Sequence, residues 1–379
     1  MSKDTDTSFV AGLEDVVSNT SDICFLDGKE GRLVYQGYNI HDLVNGNASF
    51  EEVVYLLWHG ELPNRQQLDE FNQQIGRQRA LAPEVLNFLK GVRKDANAME
   101  VLRTAVSFAG IYDPDNGDES YEANVRKATR LVAQIPTIVT TFERIRNGQA
   151  PIDPDPELSA ASSFFQLLTG RVPDEFTERA FNTALILHAD HELNASTFSA
   201  RVTAATLSDM YSAITSAIGT LKGPLHGGAN EQVMKMLLEI GDMSRVESYI
   251  DEALAAKRKI MGFGHRVYRT EDPRATHLRK LSQKAGELAG ETKWFEMSRR
   301  IEQLVKDKKG LNPNVDFYSA SLYYSLGLPT HLFTPIFACS RISGWTAHVL
   351  EQYRNNRLIR PRAEYTGPTH RQFVPLSER

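Results

Sequence analysis

Cysteine is nearly absent from the 379 residues, with only Cys24 and Cys339 present. Two thiols cannot make a disulfide framework or a four-thiolate metal site. No apolar run approaches the roughly 20 residues that a membrane-spanning helix requires. The opening, Met1 to Thr7, is polar and acidic, without the basic start or apolar stretch of a secretory leader. The expectation is therefore a soluble cytoplasmic protein. Positive charge is not in excess either. Lys and Arg number 43 against 48 Asp and Glu, a net −5 with histidine neutral. That balance gives no general attraction to nucleic acid or to an acidic membrane. GxGxxG, P-loop and βαβ patterns are all missing, which argues against a nucleotide-binding parallel sheet. No fixed-period repeat and no low-complexity tract breaks the chain.

What is present is mostly helix. Val233, Met236, Leu237 and Ile240 recur at helical spacing after Gly227-Gly228, and Met99, Leu102, Val106 and Ala109 do the same. Leu56 and Leu57 lie in a further stripe opened by Ser49, with Glu51 and Glu52 in its first turn. Leu62-Pro63-Asn64, Ala82-Pro83, Asp113-Pro114, Asp153 to Pro156 and Val172-Pro173-Asp174 read as turns between helices. Strand signals are confined to one short hairpin, Ile23 to Tyr35 around Asp27-Gly28, and to an irregular piece at Tyr365 to Pro368. The fold class is all-α, and a chain of this length has a soft prior of two to three domains.

Charge is unevenly placed. Lys257 to Lys280 holds eight basic residues against Glu271 and Asp272, a local +6 that leaves −11 elsewhere. Such a stretch is either a solvated helix face or a site for a polyanion. Within it, Gly262-Phe263-Gly264-His265 forms a loop whose backbone could lie along a flat ring.

Three other segments put costly groups in apolar or glycine-rich settings. In His188-Ala189-Asp190-His191-Glu192, ionisable groups interrupt an apolar helical run. On a continuous helix His188 and His191 would share a face, as metal ligands, hydrogen-bonded core histidines or substrate-binding histidines. His226 stands between Gly223-Pro224 and Gly227-Gly228, just ahead of a helix. The positive end of that helix disfavours imidazolium, so a neutral His226 could donate to an oxygen gaining charge, or could simply pack. Asp316 follows Asn312-Pro313-Asn314 and precedes an apolar helix, as an N-cap or as a poised base. Arg341 sits inside an apolar helix, where a guanidinium needs an anionic partner. Three histidines, one carboxylate and several arginines suit a small di- or tricarboxylate and proton abstraction beside a carbonyl, with carbon–carbon bond formation through an enol and no metal.

These motifs resemble the citrate synthase family along essentially the whole chain. The segments that carry the likeness are Gly12-Leu13-Glu14, Tyr35 to Ile40, HADHELNAS at 188–196, GPLHGGANE at 223–231, GFGHRVYRTEDPR at 262–274, NPNVDFYSA at 312–320, SRISGWTAH at 340–348 and RPR at 360–362. The resemblance implies a two-domain helical subunit with a small N-terminal β-hairpin, acting as a homodimer. Residues 1–222 and 323–379 would form a large domain, and 223–322 a small domain that closes over the substrates. It implies condensation of acetyl-CoA with oxaloacetate and water to citrate and CoA, the first step of the tricarboxylic acid cycle, with no metal or other cofactor. By motif, Asp316 would take the methyl proton, His226 would donate to the enol oxygen, and His265 would polarise the oxaloacetate carbonyl. His191, Arg274 and Arg341 would bind oxaloacetate, and Arg360 would reach into the partner's site. Lys259, Ile260, Met261, Gly262, Phe263 and Gly264 would hold adenine, and Arg269 a CoA phosphate. Gln36 stands where the family commonly has arginine. The chain lacks the extra N-terminal domain of the long enzymes, so inhibition by NADH is not expected. Two other readings share much of this pattern: a 2-methylcitrate synthase using propionyl-CoA, which differs by one methylene, and a non-catalytic protein that binds CoA or a carboxylate.

Overall fold

A computed structural model describes residues 10–14 and 16–379; the polar opening Met1 to Thr7 lies outside the described residues. Helix starts are written in side chains that accept the first free N–H groups. Ser49 and Glu52 form a reciprocal capping box at Phe50–His59, and Asn64 and Gln67 another at Arg65–Arg77. Asp174 caps Glu175–His188, and Pro83 sits in the first turn of Pro83–Gly91. The punctuation read from the sequence thus falls at real helix boundaries.

One helix, Phe333–Arg354, is the hub. Every residue from Phe333 to Leu350 is buried, the pattern of a helix surrounded on all sides. Around it pack Phe50–His59, Tyr121–Arg146, Glu175–His188, Ala195–Ala204 and Met210–Leu221. A second group comprises Ala229–Ile240, Val246–Ala255, Pro273–Ala289, Lys293–Lys309 and Val315–Ser325, whose helices pack chiefly on one another. The groups touch where Ala229–Ile240 meets the hub and where Pro273–Ala289 meets Glu175–His188. The site lies along this seam.

The sheet has three strands among the described residues, one more than the hairpin expected. They are β1 (Cys24–Asp27), β2 (Arg32–Tyr35) and β3 (Tyr38–Asn39), antiparallel in that order. Cys24 pairs with Tyr35 and Asp27 with Arg32. Gln36 and Gly37 both have positive φ, 46° and 87°, which makes the tight two-residue turn that brings in β3. From Asn355 onward the chain is irregular and largely exposed, including Leu358, Tyr365, Phe373 and Leu376.

Candidate active site

A helix leaves its last four carbonyls without partners, and the HADH segment begins at such an end. Glu175–His188 stops at His188, and His191 lies beyond it in a loop. The two histidines therefore do not share a helix face, contrary to the spacing argument. The reason is visible in the SRISG stretch of the hub. Ser340 Oγ donates to the Leu185 carbonyl, Arg341 Nε to His188 (2.7 Å), and Ser343 Oγ and the Gly344 N–H to Ala189 (3.3 and 3.1 Å). These donors replace the bonds that another helical turn would have made. A Cβ on Gly344 would stand 2.3 Å from Asp190 Oδ1 and 2.5 Å from the Ala189 carbonyl oxygen, so the crossing demands glycine. From the other side the Tyr35 hydroxyl lies 3.2 Å from the Ile186 carbonyl and 3.1 Å from that of Asp190. His188 itself is fully buried, with Nδ1 2.7 Å from the Ala184 carbonyl, and burial lowers its pKa to about 3.

His191 and His265 come from opposite groups of helices, yet their rings stand 5.1 Å apart. His191 Nε2 is 3.3 Å from the Tyr268 hydroxyl. Burial, then the charge of Arg274, holds His191 well below the ordinary histidine pKa. His265 Nδ1 accepts the backbone N–H groups of Val267 (3.0 Å) and Tyr268 (3.2 Å). With Nδ1 so engaged, a neutral ring carries its proton on Nε2. Burial and Arg274 depress its pKa to about 4.

His226 is fixed in the opposite tautomer. Its Nε2 accepts the Ser196 N–H at 3.3 Å and lies 2.8 Å from Ser196 Oγ, leaving Nδ1–H as the free donor. Trp345 Nε1 donates to that same hydroxyl (3.1 Å), which ties the contact to the hub. The pKa falls to about 4, and the larger cause is burial, with Arg341 adding to it. The neutrality expected from the following helix, Ala229–Ile240, thus comes chiefly from burial. Gly227 makes the tight approach possible, because a Cβ there would lie 2.6 Å from the Leu221 carbonyl oxygen.

Asp316 is not an N-cap. Asn314 caps Val315–Ser325 by accepting the Asp316 N–H (3.0 Å), which leaves the Asp316 carboxyl out of helix capping. Its Oδ1 is buried and has no hydrogen-bond partner among the described residues. Desolvation raises the pKa to about 7, against smaller opposing effects of Arg274 and Arg341. The glycine-rich loop and the segment leading to Asp316 are braided. Gly264 N–H donates to Asn312 (3.0 Å), Asn314 N–H to Gly262 (2.9 Å), and the Asn314 side chain to Gly264 (3.0 Å). Phe263 packs against Phe317 with centroids 4.5 Å apart and ring planes tilted by 57°. Gly262 and Gly264 hold positive φ, 82° and 75°, as this path requires.

The arginines differ in how they are satisfied. Arg274 is buried and grips Asp272 through Nε (2.9 Å) and Nη2 (2.8 Å), while Asp272 also accepts the Val315 N–H (3.0 Å). Arg341 is equally buried, stacked over Phe337, and among the described residues no carboxylate pairs with it. Among the described residues only its Nε has a protein acceptor. Such a guanidinium asks for an anion from outside the chain. In the basic stretch, Arg279 is consumed by Glu271 and Glu302. Lys257, Arg258, Lys259, Arg266, Arg269 and Lys280 are exposed, and none is ion-paired among the described residues. Ile260, Gly262 and Phe263 are buried beneath them. Arg360 lies in the exposed C-terminal segment, and among the described residues it has no hydrogen-bond or ion-pair partner. Among the described residues no group of three or more His, Cys, Asp or Glu is placed to hold a metal ion.

Sequence reasoning missed the supports: Ser196, Tyr268, Asp272, Asn314 and the pair Asp190–His348, whose Nε2 to Oδ2 distance is 3.2 Å. All six lie inside the quoted motifs, so the signal was their company rather than their type.

The family model described as citrate synthase, C-terminal domain, matches residues 12–362. Citrate synthase 2 of Bacillus subtilis is 55% identical over 369 residues, spanning 97% of this chain and 98% of the relative. A 2-methylcitrate synthase of Corynebacterium glutamicum is 42% identical, over 99% of this chain and all of the relative. Among solved structures, the ternary complex of a Thermoplasma acidophilum citrate synthase with carboxymethyl coenzyme A and oxaloacetate superposes with a TM-score of 0.91. It is 35% identical and covers 97% of this chain and 98% of its own.

Proposed function

The chain belongs to the citrate synthase family, and we propose that the site just described divides the family's reaction among its own residues. The protein is an acyl-transferring enzyme that condenses acetyl-CoA with oxaloacetate and water to give citrate and CoA. Asp316, as carboxylate, takes a methyl proton from the thioester. His226 Nδ1–H donates to the carbonyl oxygen as it becomes enolic. The enol carbon attacks the oxaloacetate carbonyl, whose oxygen takes the proton from His265 Nε2. Water then cleaves the thioester and releases CoA. Arg341, Arg274 and His191 hold oxaloacetate, Lys259 to Gly264 the adenine, and Arg269 a phosphate of CoA. The observation that carries the reading is the buried Asp316 Oδ1, which has no hydrogen-bond partner among the described residues, together with two histidines locked in donor tautomers.

The two helix groups serve as domains that close over the substrates, with one boundary near 222–223 and the other, expected at 322–323, moved to the end of Val315–Ser325, because 322–323 falls inside that helix. The chain works in the cytoplasm as a homodimer, supported by the exposed apolar residues of the C-terminal segment and by Arg360, which has no site of its own to serve. Sedimentation equilibrium is expected to give twice 42.5 kDa; a monomer at working concentration overturns the assembly and the role of Arg360 together.

A thiol-release assay with oxaloacetate tests the activity. Release with acetyl-CoA is expected to exceed release with propionyl-CoA; the reverse order moves the enzyme to the 2-methylcitrate branch, and no release from folded protein leaves only binding. A base with a pKa of about 7 is protonated and idle at lower pH. The acid limb of kcat/KM for acetyl-CoA is therefore expected near pH 7, with activity rising as pH increases through it. A limb near pH 4 would assign the proton transfer to another group.

A further inference from the structure

The turn of the β1–β2 hairpin lies against the loop that carries His265 and Arg269, and the mechanism above makes no use of it. The Gly28 carbonyl accepts the Arg269 N–H at 2.8 Å. Among the described residues this is the only backbone–backbone hydrogen bond made by residues 265–271. The approach is as close as glycine allows. A Cβ on Gly28 would stand 2.2 Å from the Val267 carbonyl oxygen, and one on Gly31 would stand 2.8 Å from Thr270 Cγ2 and 3.1 Å from the Glu271 carbonyl oxygen. The obstacles at Gly28 and one of those at Gly31 are backbone atoms, which cannot swing aside as a side chain can.

The turn is itself held in shape. Asp27 Oδ1 accepts the N–H groups of Lys29 (2.9 Å) and Glu30 (3.0 Å), and Gly31 takes a φ of 64°. Behind it Leu33 and Tyr35 are fully buried, and Tyr35 also braces the HADH segment. The hairpin thus touches the loop of His265 through the Gly28 carbonyl and that of His191 through the Tyr35 hydroxyl.

We propose that the turn Gly28–Gly31 is a positioning platform for the 265–271 loop, setting the backbone from which His265 addresses oxaloacetate and Arg269 addresses CoA. The turn touches the loop, not the substrates. This rests on the roles given above to His265 and Arg269, extended to residues that those roles do not name.

The test uses the purified full-length protein and acetyl-CoA with oxaloacetate. Gly28→Ala displaces Val267 and Arg269. The acetyl-CoA KM is expected to rise about tenfold and kcat to fall at least as much, with cooperative unfolding retained. Loss of folded protein alone lowers kcat and leaves KM in place. A cycle with Arg269→Ala sharpens the result, because the two KM effects should fall short of their product if Gly28 acts through that loop. Asp27→Ala loosens the turn without adding bulk and should shift both constants the same way. Asp27→Asn keeps the Oδ1 acceptor and should restore them, a pair that decides the matter if Gly28→Ala does not fold. A folded Gly28→Ala with wild-type acetyl-CoA KM, fully multiplicative effects in the cycle, or an Asp27→Ala with unchanged constants overturns the platform. An inactive wild-type protein would instead count against the proposed function.

Discussion

Asp316→Asn is expected to lower turnover by at least 10²-fold while oxaloacetate binding stays close to wild type. The substitution is nearly isosteric and leaves Asn314 as the cap of Val315–Ser325, so the helix start survives. What disappears is the proton acceptor, and positioned general acid–base groups typically supply about 10²- to 10⁴-fold. Stability should move the other way. The folded pKa, about 7, is raised above the ordinary aspartate value of 3.8. A carboxyl with a raised folded pKa favours the native state while protonated, and that contribution is lost as pH rises through about 7. At pH 8 the ionised, partnerless carboxylate therefore works against folding, and the asparagine variant is expected to melt at higher temperature than wild type. Near pH 4 the gap should close. A variant that keeps most of its turnover shows that the base lies elsewhere, and one that melts lower at pH 8 shows that Asp316 has a favourable partner.

Arg341→Met is expected to raise the oxaloacetate KM by at least 10²-fold, with the acetyl-CoA KM changed by less than about threefold. Truncating one partner of a buried, hydrogen-bonded charge pair typically costs about 2–5 kcal/mol, about 30- to 5,000-fold in binding, a range that contains 10²-fold. Methionine fills much of the arginine stem over Phe337 but cannot fork onto a carboxylate. It also strips the His188 carbonyl of its donor, so some loss of thermal stability accompanies the binding defect. Arg341→Lys separates the two effects. A single ammonium can serve the His188 carbonyl or the ligand but not with arginine's geometry, and an intermediate KM is expected. A folded Arg341→Met with unchanged oxaloacetate KM removes this side chain from the substrate site.

Much of this was legible in the chain. Ser49, Asn64 and Asp174 announce their helices because capping is local chemistry, decided within four residues. Asp316 and Arg341 stand out because ionisable groups in apolar surroundings are costly wherever the fold puts them. What sequence spacing misread was non-local. The helical pattern through His188 and His191 is real, but helix propagation there competes with donors from Ser340, Arg341, Ser343 and Gly344, some 150 positions away. The tautomers of His226 and His265 were hidden for the same reason. Each depends on which N–H faces which ring nitrogen, and no pattern of residue types encodes that. Nor could periodicity show that Gly262 to Gly264 would be zipped to Asn312 to Asn314.

That zipper joins strands of chain 50 residues apart, and it has a kinetic meaning. The helices between its two halves can form from local contacts, which are fast to make. The loop-closure entropy of the zipper is spent only when both halves meet. Until then Asp316 faces water as an ordinary carboxylate, and the turn that orients His265 has no fixed neighbour. A chain can thus be helical and compact yet chemically inert. Catalytic competence is therefore expected to wait on this long-range closure, and opening of the zipper is expected to cancel it.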